Sequence, residues 1–182
     1  QSPVPGDVRL EADENLLPLI ETYVNQGTLN LSTAQPILRA ERLRVYLQAT
    51  EWQKIELSGA TEISSDGPLK GESLDLEASG AAEIEMEVYV KKLRAQLSGA
   101  SEVDLKGKAE TVSLQSSGAA DWNAFDLESK RMSINCSGAS ELEVNVSEDL
   151  AIEASGASEI QYRGSPIISK SKMSGASTIN GN

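Results

Sequence analysis

Ser79-Gly80-Ala81-Ala82-Glu83-Ile84 returns, lightly altered, as Ser98-Gly99-Ala100-Ser101-Glu102-Val103, and then again down the chain. Seven Ser-Gly-Ala tripeptides place their glycines at 59, 80, 99, 118, 138, 156 and 175, with spacings of 21, 19, 19, 20, 18 and 19. A near-constant period of this length marks a repeat architecture. Each unit is one supersecondary element that must stack on its neighbours to bury an apolar face.

Alignment on the glycine turns each offset into a column. Four residues after it stand Ile63, Ile84, Val103, Trp122, Leu142, Ile160 and Ile179. One residue earlier stand Glu62, Glu83, Glu102, Asp121, Glu141, Glu159 and Thr178. Two before the glycine lie Leu57, Ala78, Leu97, Ser116, Cys136, Ala154 and Met173. Three before it lie Glu56, Glu77, Gln96, Gln115, Asn135, Glu153 and Lys172. Apolar and polar columns alternate with period two, which describes a strand with one buried and one wet face. A helix fails on period, and about 19 residues is too short for a helix-pair repeat. The glycine supplies the corner between strands, where backbone needs positive φ or a close approach. The predicted fold is all-β: a parallel β-helix, or solenoid, of about seven coils, right-handed by the general rule for parallel crossovers. Stacked at about 4.8 Å per coil, it relies on nearest neighbours and needs capped ends.

Residues 1–50 lie outside the repeat. Asp7 to Ala12 alternates like a strand, and Asp13-Glu14-Asn15-Leu16-Leu17-Pro18 reads as a short helical turn with Asp13 as N-cap. Thr22-Tyr23-Val24, Asn25-Gln26-Gly27 and Thr28-Leu29-Asn30-Leu31 read as a hairpin, and Leu43 to Leu47 as a further strand. No Gly/Ser/Pro-rich linker follows, so residues 1–182 are expected to form one domain: an N-terminal strand and hairpin cap, then repeat coils over 51–182. The start at Gln1-Ser2-Pro3, without Met or signal pattern, reads as a mature or trimmed terminus.

Composition narrows function. The chain has 182 residues with 16 basic and 28 acidic side chains, a net charge of −12, which argues against nucleic acid as partner. It has no histidine and one cysteine, so Ser–His and Cys–His catalysis are impossible within it and no internal disulfide forms. Aromatics are only 4%, so the core must be spread over many aliphatic side chains. No apolar run reaches the length of a membrane span.

The segment Glu11-Ala12-Asp13-Glu14-Asn15-Leu16-Leu17-Pro18, the stretch Asn25-Gln26-Gly27-Thr28-Leu29, and the run of Ser-Gly-Ala-x-Glu-Ile motifs together resemble the head GIN domain of auto-transporter adhesins. The resemblance covers nearly the whole chain. It implies a β-helical fold in proteins exported to the envelope or surface of Bacteroidetes-type bacteria, often with a further strand or two ahead of this start. It brings no family active site with it.

The carboxylate column supplies the candidate binding residues Glu83, Glu102, Asp121, Glu141 and Glu159, beside Glu62. Neighbouring coils set these about 5 Å apart at the backbone, near the carboxyl spacing of a retaining glycosidase. That chemistry, however, needs one carboxyl with a raised pKa and one ionised, and a column of like positions offers no such division. No catalytic residue, metal site or cofactor is assigned. Calcium needs six to eight converging oxygens, and the G-G-x-G-x-D roll pattern is absent.

Gln96, Gln115 and Asn135 suit a stacked amide ladder. Trp122, with small Ala124 two residues on, reads as core, and Cys136 as a buried, unreactive thiol. Trp52 and Tyr89 are alternative platforms for carbohydrate stacking, while Lys91, Lys92 and Arg94 read as a solvated corner. Two functions follow. One is a non-catalytic cell-envelope adhesion or recognition module presenting regular polar faces to glycan or surface protein. The other is a structural solenoid for spacing or end-to-end assembly through self-association.

Overall fold

The structure is a computed structural model that describes residues 8–37, 39–49 and 51–181. The chain divides into two compact units, Gln1–Thr50 and Glu51–Asn182.

The first unit is antiparallel. Strand β1 (Val8–Ala12) pairs with β4 (Leu43–Leu47), Leu10 opposite Val45. A 3-10 turn at Leu17–Leu19 leads into the hairpin of β2 (Ile20–Asn25) and β3 (Thr28–Thr33), Asn25 opposite Thr28. Its two-residue loop has Gln26 at φ 50° and Gly27 at φ 80°, the doubly positive turn whose twist matches a tight hairpin. Asp13 does not act as a side-chain N-cap. Its carboxylate accepts the Glu41 amide at 2.8 Å instead, and its carbonyl accepts the Leu16 amide at 2.8 Å to start the turn. The 3-10 turn begins three residues later than that reading placed it, with Leu16 at the N-cap position and no side-chain cap.

The second unit is the parallel β-solenoid, its coils made by β5 (Lys54–Ser64), the long winding run β6 (Leu69–Gly156), β7 (Glu159–Arg163), β8 (Ile167–Met173) and β9 (Thr178–Gly181). Register follows the repeat. Gly59 stands opposite Gly80 and Ile63 opposite Ile84, Leu142 opposite Ile160, and Ile160 opposite Ile179. All seven corner glycines have positive φ. From Gly80 to Gly175, an added Cβ would come within 3.0 Å of the carbonyl oxygen of the preceding corner glycine. Backbone therefore packs on backbone at this corner, and only glycine leaves room. A second corner, absent from the sequence-based expectation, uses the same device in two coils: Gly107 sits against Val88 and Gly164 against Val146.

Inside, Ile84, Val103, Trp122, Leu142 and Ile160 form one fully buried column, with Ile63 and Ile179 half-buried at its ends. Trp122 and Ala124 are both buried, so the large ring takes the volume its small neighbour gives up. Cys136 is buried, and desolvation pushes its thiol up, partly offset by the Ser158 hydroxyl. Among the described residues, no hydrogen bond joins the side chains of Gln96, Gln115 and Asn135, so the expected amide ladder does not form; Gln115 and Asn135 are exposed. Side-chain links between coils fall elsewhere. Asn145 donates to the Phe125 carbonyl at 3.0 Å and Ser129 to the Asn145 carbonyl at 2.7 Å.

Three substitutions test this packing. Ile84→Asp puts an unpaired charge into the closed column and should cost roughly 3–5 kcal/mol in a urea melt; an unchanged midpoint would contradict the inward assignment. Gly99→Ala combines a disfavoured φ with a backbone collision and should cost roughly 2–4 kcal/mol. Gly59→Ala, whose Cβ meets nothing within 4 Å, should cost clearly less in the same assay.

Candidate functional site

On the strand leaving each corner glycine, side chains alternate outward and inward. The inward residues next to the corner are small: Ala82, Ser101, Ala120, Ser140 and Ser158 are all buried. Ser140 shares a 3.2 Å hydrogen bond with Ser116, whereas the Ser101 hydroxyl finds no protein partner. Their small size lets the corner close. The residues on either side of them face solvent.

The first outward column is alanine in all seven coils: Ala60, Ala81, Ala100, Ala119, Ala139, Ala157 and Ala176, every one exposed. The second is the carboxylate column, Glu62, Glu83, Glu102, Asp121, Glu141 and Glu159, also exposed throughout. Register pairs Glu62 with Glu83 and Glu141 with Glu159, and the column ends where Glu159 meets Thr178. Parallel strand spacing sets successive members about 4.8 Å apart at the backbone.

The two columns border a shallow trough of ≈ 670 Å³ along the stack, with Ala60, Ala81, Ala100, Ala119 and Ala139 on one side. Of the sequence-predicted binding residues, Glu83, Glu102, Asp121 and Glu141 line it together with Glu62. Glu159 continues the column one coil further, where its carboxylate accepts Gln161 Nε2 at 3.2 Å.

None of these six carboxylates forms an ion pair among the described residues, and neither do Glu85, Asp104 and Glu143 two residues further along the same strands. Elsewhere the charges interleave between coils. Lys54 reaches Glu77 at 2.9 Å, Lys91 reaches Glu72 at 2.9 Å, and Lys108 reaches Glu128 at 2.8 Å. Lys130 lies 3.7 Å from Glu110 and Arg131 3.4 Å from Glu148. Each carboxylate partner holds Lys54, Lys91 and Lys108 above the ordinary ammonium range. Such exposed pairs stabilise little singly, but they cancel charge locally. The ladder holds six of the acids left without a cation among the described residues.

Among the described residues, no three His, Cys, Asp or Glu side chains converge as a metal cage requires. Of the alternative platforms, Trp52 is half-buried against the core, whereas Tyr89 is 40% exposed and open to a stacking partner. Lys91, Lys92 and Arg94 are exposed, as expected of a corner. The alanine strip was absent from the sequence-based site, although its signal, the same residue at one offset in every copy, was present. No helix among the described residues is long and apolar enough to cross a membrane.

Solved structures share this architecture. "A putative adhesin" from Bacteroides fragilis NCTC 9343 superposes with a TM-score of 0.88 at 23% identity, covering 97% of this chain and 83% of that one. A "putative lipid binding protein" from Parabacteroides distasonis ATCC 8503 gives 0.67 at 21% identity, covering 96% and 83%. "A putative adhesin" from Parabacteroides merdae ATCC 43184 gives 0.62 at 15% identity, covering 96% and 82%. At these identities the likeness establishes the fold alone. No curated protein matches the chain. The family model described as "Putative auto-transporter adhesin, head GIN domain" matches residues 1–166, and this chain belongs to that family.

Proposed function

We propose that the chain is a non-catalytic recognition module of the bacterial cell envelope or surface, and that its ladder of carboxylates over an alanine strip meets an extended, repetitive glycan or protein. The observation that carries this reading is the ladder itself: six exposed carboxylates at one offset of successive coils, bordered by an exposed alanine column and without an ion pair among the described residues. A shallow trough cannot enclose a compact ligand. It suits one that runs along the axis and repeats near the coil rise of about 4.8 Å. Family membership and the neighbours described as adhesins support surface recognition, and the neighbour described as lipid binding adds a ligand class to include in a screen.

The non-catalytic part follows from sameness. Acid–base chemistry separates two carboxyls by their surroundings, and these six share one exposed environment. The candidate contacts are Glu83, Glu102, Asp121, Glu141 and Glu159. Exposed charges act through their sum, each screened by solvent.

The test is a glycan, matrix-protein and lipid array probed with wild type, with Glu102→Gln, and with the triple change of Glu83, Glu102 and Glu141 to Gln. Binding should fall roughly tenfold or more in the triple variant and barely in the single one. Equal binding by all three would move the site off the ladder. Turnover of an arrayed glycan, abolished by Glu102→Gln alone, would establish an enzyme instead.

A further inference from the structure

Seven residues past each corner glycine, on the approach to the second corner, the outward column reads Asp66, Glu87, Lys106, Phe125, Asn145 and Arg163. Its first two members are acids and the next four are not, in a chain of net charge −12. Phe125 is the single phenylalanine of the chain, half-buried on this outward column rather than in the core.

The last three members are joined. The Asn145 Nδ2 donates to the Phe125 carbonyl at 3.0 Å, which ties that short side chain to the neighbouring strand. Arg163, whose backbone stands opposite Asn145, reaches past it and lays its guanidinium over the Phe125 ring, 3.9 Å from the centroid. Acids lie close to it in the pattern, Asp126 beside Phe125 and Glu143 two residues before Asn145, yet it pairs with neither among the described residues. A guanidinium stacked on a ring is held in one plane while its fork of N–H donors stays unspent. Lys106, one coil before Phe125, is exposed and likewise forms no ion pair among the described residues. The ladder carboxylates stand four residues earlier on the same strands, about 13 Å away at about 3.3 Å per residue. That exceeds the screening length of about 8 Å in physiological salt. At the offset between them, the residues beside Phe125 and Arg163 are the neutral Asn123 and Gln161.

We propose that this column is a second binding site, which takes the carboxylate of an acidic glycan. The Arg163 fork matches a carboxylate with two parallel hydrogen bonds, and Lys106 adds a charge on the other side of Phe125. A sugar acid fits better than a bare anion because a second aromatic ring faces outward nearby. Tyr89 is 40% exposed, two coils before Phe125 and two residues further along its strand. The two rings are about 10 Å apart along the axis, so a chain of sugars laid along the stack sets a carboxylate on Arg163 and the apolar face of another ring on Tyr89. The site lies wholly on coils of the unit 51–182 and does not depend on the ladder being a recognition face.

Isothermal titration of the whole chain with oligogalacturonate, and with the same oligomer methyl-esterified at its carboxyls, tests this. The acid should bind, the ester roughly tenfold more weakly, and the affinity for the acid should fall as salt rises. Arg163→Gln should weaken the acid roughly tenfold, and Arg163→Lys, which keeps the charge but loses the planar fork, should recover only part of that loss. Phe125→Leu keeps apolar volume but releases the guanidinium, and should weaken binding roughly twofold to fivefold; Tyr89→Ala should do so by a similar factor. Arg94→Gln removes the same charge from an exposed side chain elsewhere and should change nothing. Urea midpoints of all the variants, measured alongside, separate lost binding from lost fold. Oligomers of glucuronate and mannuronate complete the probes, and silence of all three acids overturns the proposal. So do equal binding of acid and ester, an Arg163→Lys protein that binds as wild type does, and a loss in Arg94→Gln equal to that in Arg163→Gln. Complete displacement by inorganic sulfate at equal concentration would mark a bare-anion site and overturn the glycan.

Discussion

Everything in the solenoid depends on one close approach, the corner glycine lying against the carbonyl of the corner glycine one coil earlier. A side chain there would hold the coils apart and lengthen every hydrogen bond on the flanking strands. With only hydrogen at that position, the backbones nest, and nesting sets the register at 18 to 21 residues per coil. The buried serines and alanines beside the corner follow from the same crowding. So does the alignment of the core columns, since a fixed corner leaves each strand residue one position to occupy.

The column that builds the core and the column that builds the ladder are adjacent residues of one strand, so neither can be aligned without the other. Two like charges about 4.8 Å apart in water repel by about 1 kcal/mol before salt screening. A fully buried Ile, Leu or Val contributes about 1.5–3 kcal/mol. Core burial therefore outweighs the repulsion coil by coil, and the fold tolerates the ladder without needing it. Cations at the neighbouring offset would relieve the strain at no structural cost, as they do around Lys108 and Lys130. Their absence from the ladder is a property of the surface that folding does not explain.

The repeat was legible because the corner and the column of Ile84 and Val103 report on one another in every copy. What escaped had no such echo. The contact of Asp13 with Glu41 joins residues 28 apart within the non-repetitive unit, and no periodicity points to it. The second corner carries glycine in only some of the coils, at Gly67, Gly107 and Gly164, with Val88, Asp126 and Val146 at the same offset in the others. The interleaved pairs such as Lys108 with Glu128 lie far from the corner, where unequal coil lengths shift the offsets and hide the columns. The carboxylate ladder was visible beforehand, yet its lack of ion pairs was not, because that depends on where every cation goes. The alanine strip was hidden differently: a small residue beside a corner invites a steric explanation, and only the exposure of all seven shows that they form a surface.

The constant sequence distance between stacked neighbours has an evolutionary corollary. In most folds a longer chain must close longer loops, and assembly slows as contacts grow more distant along the chain. Here every added coil meets its neighbour across about the same separation, so duplicating or deleting one whole unit leaves the topology and the closure entropy per unit unchanged. Length thus becomes a heritable variable largely uncoupled from foldability. Any surface row inherited with the unit, acidic or alanine, lengthens in proportion, and its multivalency can be tuned by copy number without inventing a new contact.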